Sequence, residues 1–304
     1  MESKDNTSIT KQHCATVALI GAPNAGKSTL LNNLVGFKVS IVSPKVQTTR
    51  NVINGIYTEG DAQLIFIDTP GIFTPSPKKK LEQAIVKEAW NGLKDADMIM
   101  LLIDSNRGIC YDTQTIIDFL ITKKLRAILV LNKIDLVNKK DLNKLENELS
   151  ALGIFDHMFR ISALNSDGTT ELKDFLLSNA PASPWIYNED DITNVPLRFI
   201  TAELTREQLF LKLHQEIPYN TTVEVEKWEE LENGEVKIYQ VIYVTKESQK
   251  IIVIGKSGQM IKEIGQNARK EIEALLGRTA HLFLHVKVRD TWLDRPEQFI
   301  STNR

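Results

Sequence analysis

The strongest constraint on this chain is an apolar run that stops on a glycine and resumes as a helix. Residues 16–20 are β-rich and apolar. Gly21-Ala22-Pro23-Asn24-Ala25-Gly26-Lys27-Ser28 follows at once and leads into a helical run over 28–34. A strand, a glycine-bounded loop and a helix in that order gather main-chain N–H groups at a helix N-terminus, where the peptide dipoles favour negative charge. The glycines let the backbone wrap an anion. Lys27 can reach β- and γ-phosphates, and the Ser28 hydroxyl is an oxygen ligand for Mg2+, with Thr29 next in the same turn. GxxxxGK[ST] in this setting predicts a bound nucleoside phosphate.

From residue 16 to about 178 the pattern alternates. Strands are expected over 16–20, 52–57, 63–67, 98–103, 127–131 and 158–161, and helices start near Lys27, Lys80, Asp112, Lys140 and Thr169. Glu59-Gly60-Asp61-Ala62 reads as a hairpin turn, and the remainder as βα units with helices on both faces of a mostly parallel sheet. Asn179-Ala180-Pro181-Ala182-Ser183-Pro184 cannot continue a helix. Past it a helix is expected over 203–215, strands over 222–228 and 236–244, a short β-rich run at 251–254, a helix over 259–276 and a strand over 281–288. The order α-β-β-α-β marks a second kind of domain.

No apolar run approaches the roughly 18 residues of a membrane span. The stretch 15–22 is read as a strand, not a secretory signal core, because it runs straight into a glycine turn. Two cysteines, Cys14 and Cys110, form no disulfide framework, which suits a reducing cytosol. Charge is uneven: residues 186–235 carry 4 Lys/Arg against 12 Asp/Glu, and residues 236–304 carry 12 against 7. The basic end suits a polyanionic partner.

Three further motifs fall in order. Asp68-Thr69-Pro70-Gly71 ends an apolar strand, 41 residues after Lys27. There a carboxylate can hold Mg2+ through water, and the Gly71 N–H can sense a γ-phosphate. Asn132-Lys133-Ile134-Asp135 follows the strand 127–131. The Asp135 carboxylate can accept two hydrogens from guanine, N1 and the exocyclic amine, and adenine offers neither in that geometry. Ser162-Ala163-Leu164 supplies a backbone N–H, that of Ala163, for guanine O6. Ile72, directly after the DxxG glycine, cannot hydrogen-bond a water. Nothing in the motif then orients the nucleophile, and intrinsic hydrolysis is expected to be slow, on the order of 10⁻⁴ to 10⁻² s⁻¹. Lys27 and Gly71 are the catalytic residues these motifs offer.

In the second half, Gly255-Lys256-Ser257-Gly258 sits between the apolar run and an amphipathic helix. Glycines there would let the backbone approach a sugar–phosphate chain, with Lys250, Lys256 and Lys262 near phosphates; Ile252, Ile254 and Ile261 are groove candidates, with simple core as the preferred reading of each. On the last strand Leu282, Leu284, Val286 and Val288 should face the core. His281, Phe283, His285, Lys287 and Arg289 should share the other face. Lys78-Lys79-Lys80 reads as a solvated loop.

The four nucleotide motifs and the GxxG element together resemble the Era-like family of bacterial GTPases, of the translation-factor type, over nearly the whole chain. The resemblance implies an α/β P-loop GTPase domain with a mostly parallel sheet (13–180), a linker (181–202) and an α+β KH-type RNA-binding domain (203–304). It implies GTP and GDP with Mg2+, and a switch threonine on the metal within Gln47-Thr48-Thr49-Arg50. Thr49 is favoured there and joins Lys27 and Gly71 as a catalytic residue, with Thr48 as the alternative. It also implies small-subunit ribosomal RNA and the 30S precursor as partners and a role in subunit maturation. The expected state is a cytoplasmic monomer with peripheral contact at the inner face of the cell membrane. In the segment 294–299 only a short final helix is expected. A regulator that docks on protein or membrane through its C-terminal domain is the competing reading. An ATP-dependent enzyme is disfavoured by Asp135.

Overall fold

The expected alternation closes into a six-stranded sheet. A computed structural model describes residues 12–289 apart from 46–47, 74, 76–79, 92 and 94–95. Gln47, Lys78, Lys79 and the segment 294–299 lie outside the described residues. Elements run β1 (His13–Ile20), α1 (Lys27–Val35), β2 (Ile53–Glu59), β3 (Ala62–Asp68), α2 (Lys80–Asn91), β4 (Met98–Asp104), α3 (Tyr111–Lys123), β5 (Ala127–Asn132), α4 (Lys139–Ser150), β6 (Phe155–Arg160) and α5 (Thr169–Ser178). The strand order is β2-β3-β1-β4-β5-β6, parallel except for the β2–β3 hairpin.

The inner strands read as unbroken apolar runs because both faces are covered. Leu30 and Leu34 of α1 and Leu172 and Leu176 of α5 pack on Val17, Leu19 and Phe66. On the opposite face Ile116, Ile117, Leu145 and Leu149 pack on Ile20, Leu101 and Leu129. The chain leaves β1 toward β3 on one side and β4 on the other, which opens a crevice beyond the carboxyl ends of the strands. The loop starting at Gly21 lies there. Residues 181–196 cover the β2 edge: the Ile56 N–H donates to Ile192 O at 2.9 Å, and Gln63 Oε1 accepts from the Ile186 and Tyr187 N–H groups at 3.1 and 3.0 Å. An otherwise unpaired strand edge is satisfied this way.

The second unit comprises α6 (Leu197–Lys212), β7 (Thr221–Glu230), β8 (Val236–Val244), α7 (Glu247–Ile254), α8 (Gln259–Leu276) and β9 (Ala280–Val288). Its sheet runs β7-β8-β9, antiparallel then parallel. Two expectations are corrected. Helix α6 begins six residues before residue 203, directly after Pro196, so the connecting segment stops at 196. Its first turn, with Leu197 and Arg198 exposed, lacks the amphipathic period that would reveal it. Residues 251–254 form the last turn of α7, not a β-rich run, so the order is α-β-β-α-α-β. The Ile-Ile-Val-Ile tract favours strand by propensity, but Gln249 Oε1 caps the helix start by accepting from the Thr245 and Lys246 N–H groups at 2.9 and 3.2 Å, and buried Val253 anchors it. On β9, Leu282, Leu284 and Val286 face the helices as expected. Val288, at the strand end, is exposed.

The cores of the two units are continuous. Ile41 and Ile53 from the first unit pack with Ile200, Leu204, Val236 and Ile272 of the second.

Candidate functional site: a phosphate loop, a base-reading edge and a GxxG groove

The phosphate loop is held by close approach. Gly26 has φ +100°, and a Cβ there would lie 2.2 Å from Asn132 Nδ2, so only glycine fits. Lys27 folds back across the loop and donates to Gly21 O at 3.0 Å and Ala22 O at 3.2 Å. Burial pushes its pKa down to about 8, against the pull of nearby Asp68. Asn24 Nδ2 donates to Pro44 O at 2.8 Å, joining this loop to the segment that follows α1.

Beside Lys27 the structure gathers hard oxygens. Ser28 Oγ donates to Asp68 Oδ2 at 2.7 Å and lies 2.9 Å from Thr49 Oγ1. Ser40 Oγ donates to the same Oδ2 at 2.8 Å. Burial raises the Asp68 carboxyl above its ordinary range, opposed by Lys27, Ser28 and Ser40. Asp68 Oδ1 is buried and finds no hydrogen-bond partner among the described residues. A buried carboxylate oxygen left over next to two hydroxyls is a donor set that suits Mg2+. The two threonines of the 47–50 stretch are placed differently. Thr49 joins this corner, whereas the Thr48 hydroxyl lies 2.5 Å from Ser43 Oγ and donates to Lys45 O at 2.7 Å, although Thr48 also borders the neighbouring cleft. A cleft of about 230 Å³ opens here, bordered by Asn24, Lys27, Ser28, Thr49, Gly71 and Lys133.

Of the DxxG motif Gly71 borders this cleft, and Asp68 lies buried at the corner beside Ser28. Thr69 and Pro70 are buried, and Thr69 Oγ1 donates to Leu19 O at 2.7 Å. The Ile72 side chain sits in the core, with its N–H donated to Gly21 O at 3.2 Å. Thr69 thus ties this turn to β1, and Ile72 ties it to the start of the phosphate loop.

At the base-reading edge Asn132 is a clamp. Its Nδ2 donates to Ala25 O at 2.9 Å, and its Oδ1 accepts the Ala163 N–H at 3.0 Å. The N–H expected to meet guanine O6 therefore already has a protein partner, and a base could only share it. Lys133, at φ +61°, donates Nζ to Asp104 Oδ2 at 2.7 Å and borders the phosphate cleft. Asp135 is exposed in a single 3₁₀ turn, Ile134–Leu136, and faces a separate hollow with Asn143 and Arg160. Ser162 closes a turn with Asp167 through main-chain bonds of 3.0 and 3.2 Å, and Leu164 is exposed.

Ser40 and Asp104 went unnoticed in the sequence. Asp104 ends β4 at the same sheet edge where Asp68 ends β3 and Asn132 ends β5, a carboxyl-end pattern that could have exposed it. Ser40 belongs to no motif.

In the second unit Gly255-Lys256-Ser257-Gly258 is a tight turn between α7 and α8, with Lys256 and Ser257 exposed. A Cβ on Gly255 (φ +74°) would lie 2.5 Å from Met260 Cβ, while Gly258 (φ +76°) has open space around it. The first glycine is needed for room and the second for conformation. A groove of about 460 Å³ between α8 and β9 includes Ile261, Lys262, Arg269, Phe283 and His285. Of the three groove isoleucines only Ile261 lines it. Ile252 is exposed and Ile254 half-buried. Lys250 lies 3.9 Å from Glu247. His281 pairs with Glu235 at 2.8 Å, and among the described residues no cluster of His, Cys, Asp and Glu is suited to hold a metal ion by itself. Among those residues no helix is long and apolar enough to cross a membrane.

Comparison with known proteins agrees with this geometry. Residues 16–133 match a family described as a 50S ribosome-binding GTPase, and residues 216–293 match the KH domain. The chain is 54% identical over 283 residues to GTPase Era of Rhizobium meliloti (strain 1021), covering 93% of this chain and 90% of that one. It is 50% identical over 293 residues to GTPase Era of Brucella suis biovar 1 (strain 1330), covering 96% and 94%. A crystal structure of Era in complex with MgGDPNP and nucleotides 1506–1542 of 16S ribosomal RNA superposes with a TM-score of 0.88 at 38% identity, covering 94% of this chain and 97% of that one.

Proposed function

This chain belongs to the Era family of GTPases, and on that premise we propose that it is a GTP-operated switch that binds small-subunit ribosomal RNA through its KH domain and assists 30S maturation in the cytoplasm. The observation that carries the reading is the convergence of Ser28, Thr49 and Asp68 beside Lys27, drawn from three separate stretches of chain.

In the reaction Lys27 would leave the Gly21 and Ala22 carbonyls for β- and γ-phosphate oxygens, which raises its proton affinity again. The loop N–H groups hold the phosphates in line for attack by water. Mg2+, when held by Ser28, Thr49 and, through water, Asp68, supplies neutralising charge to the same oxygens. Asp135 would read the guanine edge from the rim, and Asn132 fixes the loops on either side. Ile72 is turned into the core, so no side chain of the DxxG motif orients the water. That supports a slow intrinsic rate that a partner accelerates. The groove of α8 and β9, with Lys262 and Arg269 on one wall and Phe283 exposed on the other, suits a single strand with stacked bases, and the GxxG turn suits its backbone.

The test pairs two variants of the full chain. Lys256→Asp with Ser257→Asp should abolish binding of a 16S 3′-end RNA by like-charge repulsion and leave GTP hydrolysis unchanged. Asp135→Asn should erode the preference for GTP over ATP with RNA binding intact. Unchanged RNA binding in the first variant would favour the docking-module reading.

A further inference from the structure

The described residues of 38–50, which bring Thr49 to the metal corner, are tied to their own domain through Asn24, Asn32 and Asp68, and are fastened as well to the KH unit, chiefly to α6. Glu207 accepts the Val42 N–H at 2.8 Å and Lys38 Nζ at 2.7 Å. Lys45 Nζ donates to the Phe210 and Leu213 carbonyls at the end of α6, where the helix dipole favours a cation. Arg206 Nη2 donates to Thr48 O at 2.6 Å, and Arg50 donates to Thr221 O at 2.8 Å, Tyr219 O at 3.0 Å and Pro218 O at 3.2 Å. The residues on both sides of Thr49 are therefore fastened to the other domain.

Arg206 stands apart in this set. Its side chain is 2% exposed and ion-paired with Glu203, yet its Nη1 finds no hydrogen-bond partner among the described residues. A buried pair with a donor left over adds little stability compared with an apolar residue of the same volume. Its one bond to the first unit lands on the carbonyl preceding Thr49, and a hydrogen bond from a charged, buried donor is strong and directional.

We propose that Arg206 is a positioning residue for the GTPase reaction: by holding the Thr48 carbonyl it sets the Thr49 hydroxyl in the Ser28–Asp68 corner, so that the KH unit completes the metal site for the triphosphate state. The inference rests on the reading of Thr49 as a ligand that acts only when the γ-phosphate is present. It follows that Arg206 discriminates between nucleotide states without touching nucleotide.

The experiment measures calorimetric affinity of the full-length protein for MgGDPNP and MgGDP, together with amide exchange of residues 48–50 in nucleotide-free protein. Arg206→Met, combined with Glu203→Gln so that no charge is left unpaired, should weaken MgGDPNP about 10- to 100-fold, the scale of a displaced positioning contact. MgGDP should stay within about twofold, and exchange at 48–50 should rise. Arg206→Lys, which keeps the pairing with Glu203, should recover part of the loss, and it carries the test alone if the double change does not fold. Adding Thr49→Ala to the Arg206 variant should cause no loss beyond Thr49→Ala alone, because one acts through the other. Equal weakening of both nucleotides, or fully additive losses, overturns the inference. If Thr49→Ala by itself leaves the MgGDPNP-to-MgGDP ratio unchanged, the metal assignment of Thr49 falls, and this inference with it. If Thr49→Ala lowers the ratio and the Arg206 variants do not, only the positioning role falls.

Discussion

Asn132→Ala is the perturbation whose size follows most directly from the structure. The side chain is 2% exposed and makes two bonds, 2.9 Å to Ala25 O and 3.0 Å from the Ala163 N–H, both to groups at most 4% exposed. Truncation leaves a buried acceptor and a buried donor without partners. Each costs about 1–3 kcal/mol, so the first domain should lose about 2–6 kcal/mol. If about 3 kcal/mol of this reaches the phosphate loop, affinity for MgGDP falls about a hundredfold. Because Asn132 acts through loop geometry, GTP and ATP should weaken alike, unlike the selective loss from Asp135→Asn. Asn132→Asp should be no better than Asn132→Ala, since it keeps the acceptor for Ala163 but sets a carboxylate against the Ala25 carbonyl. The assays are urea unfolding of the nucleotide-free chain, followed by a probe in the first domain, and calorimetry with each nucleotide. Stability within about 0.5 kcal/mol of the parent, or an aspartate variant more stable than the alanine one, would refute the clamp.

Gly255→Ala should impair RNA binding more than Gly258→Ala, because a Cβ at 255 meets Met260 at 2.5 Å whereas at 258 only the positive φ is strained; filter binding of both variants checks the order. Lys256→Asp should also flatten the dependence of RNA affinity on salt, by about 0.7 in log–log slope for each phosphate it no longer neutralises. Lys27 gives a pH signature. Its pKa is about 8 in the folded chain against an ordinary 10.5 once unfolded, so the unfolded chain holds the proton longer and this group's contribution to stability rises between those values as pH increases. Lys27→Met should remove that rise in unfolding midpoints taken from about pH 7.5 to 10, and an unchanged profile would contradict it. Gly26→Ala should abolish nucleotide binding, given the 2.2 Å approach to Asn132 Nδ2, as equilibrium dialysis would report.

The sequence determined what is local. Period and apolarity located every strand of both sheets, because an inner strand covered on two faces must be apolar along its length, and a loop that wraps phosphate must have glycine where the backbone turns left-handed or a neighbour comes close. The four nucleotide motifs were legible for the same reason. The chemistry of each is confined to a few consecutive residues at a strand end.

Tertiary structure decided what depends on residues far apart. It turned the Ile251–Ile254 tract into helix, since capping by Gln249 and burial of Val253 outweigh β-propensity worth a fraction of a kcal/mol per residue. Of two adjacent threonines of identical chemistry it set Thr49 against Ser28, because only a long-range contact can say which hydroxyl lies there. It tied Thr69 to β1 and the Ile72 N–H to Gly21, and gave the Ala163 N–H a partner 31 residues away. Most of all, it fastened the segment that carries Thr49 to α6, through bonds spanning more than 150 residues. No periodicity encodes such bonds: a hydrogen bond depends on where two groups end up in space, and chain separation carries no trace of it.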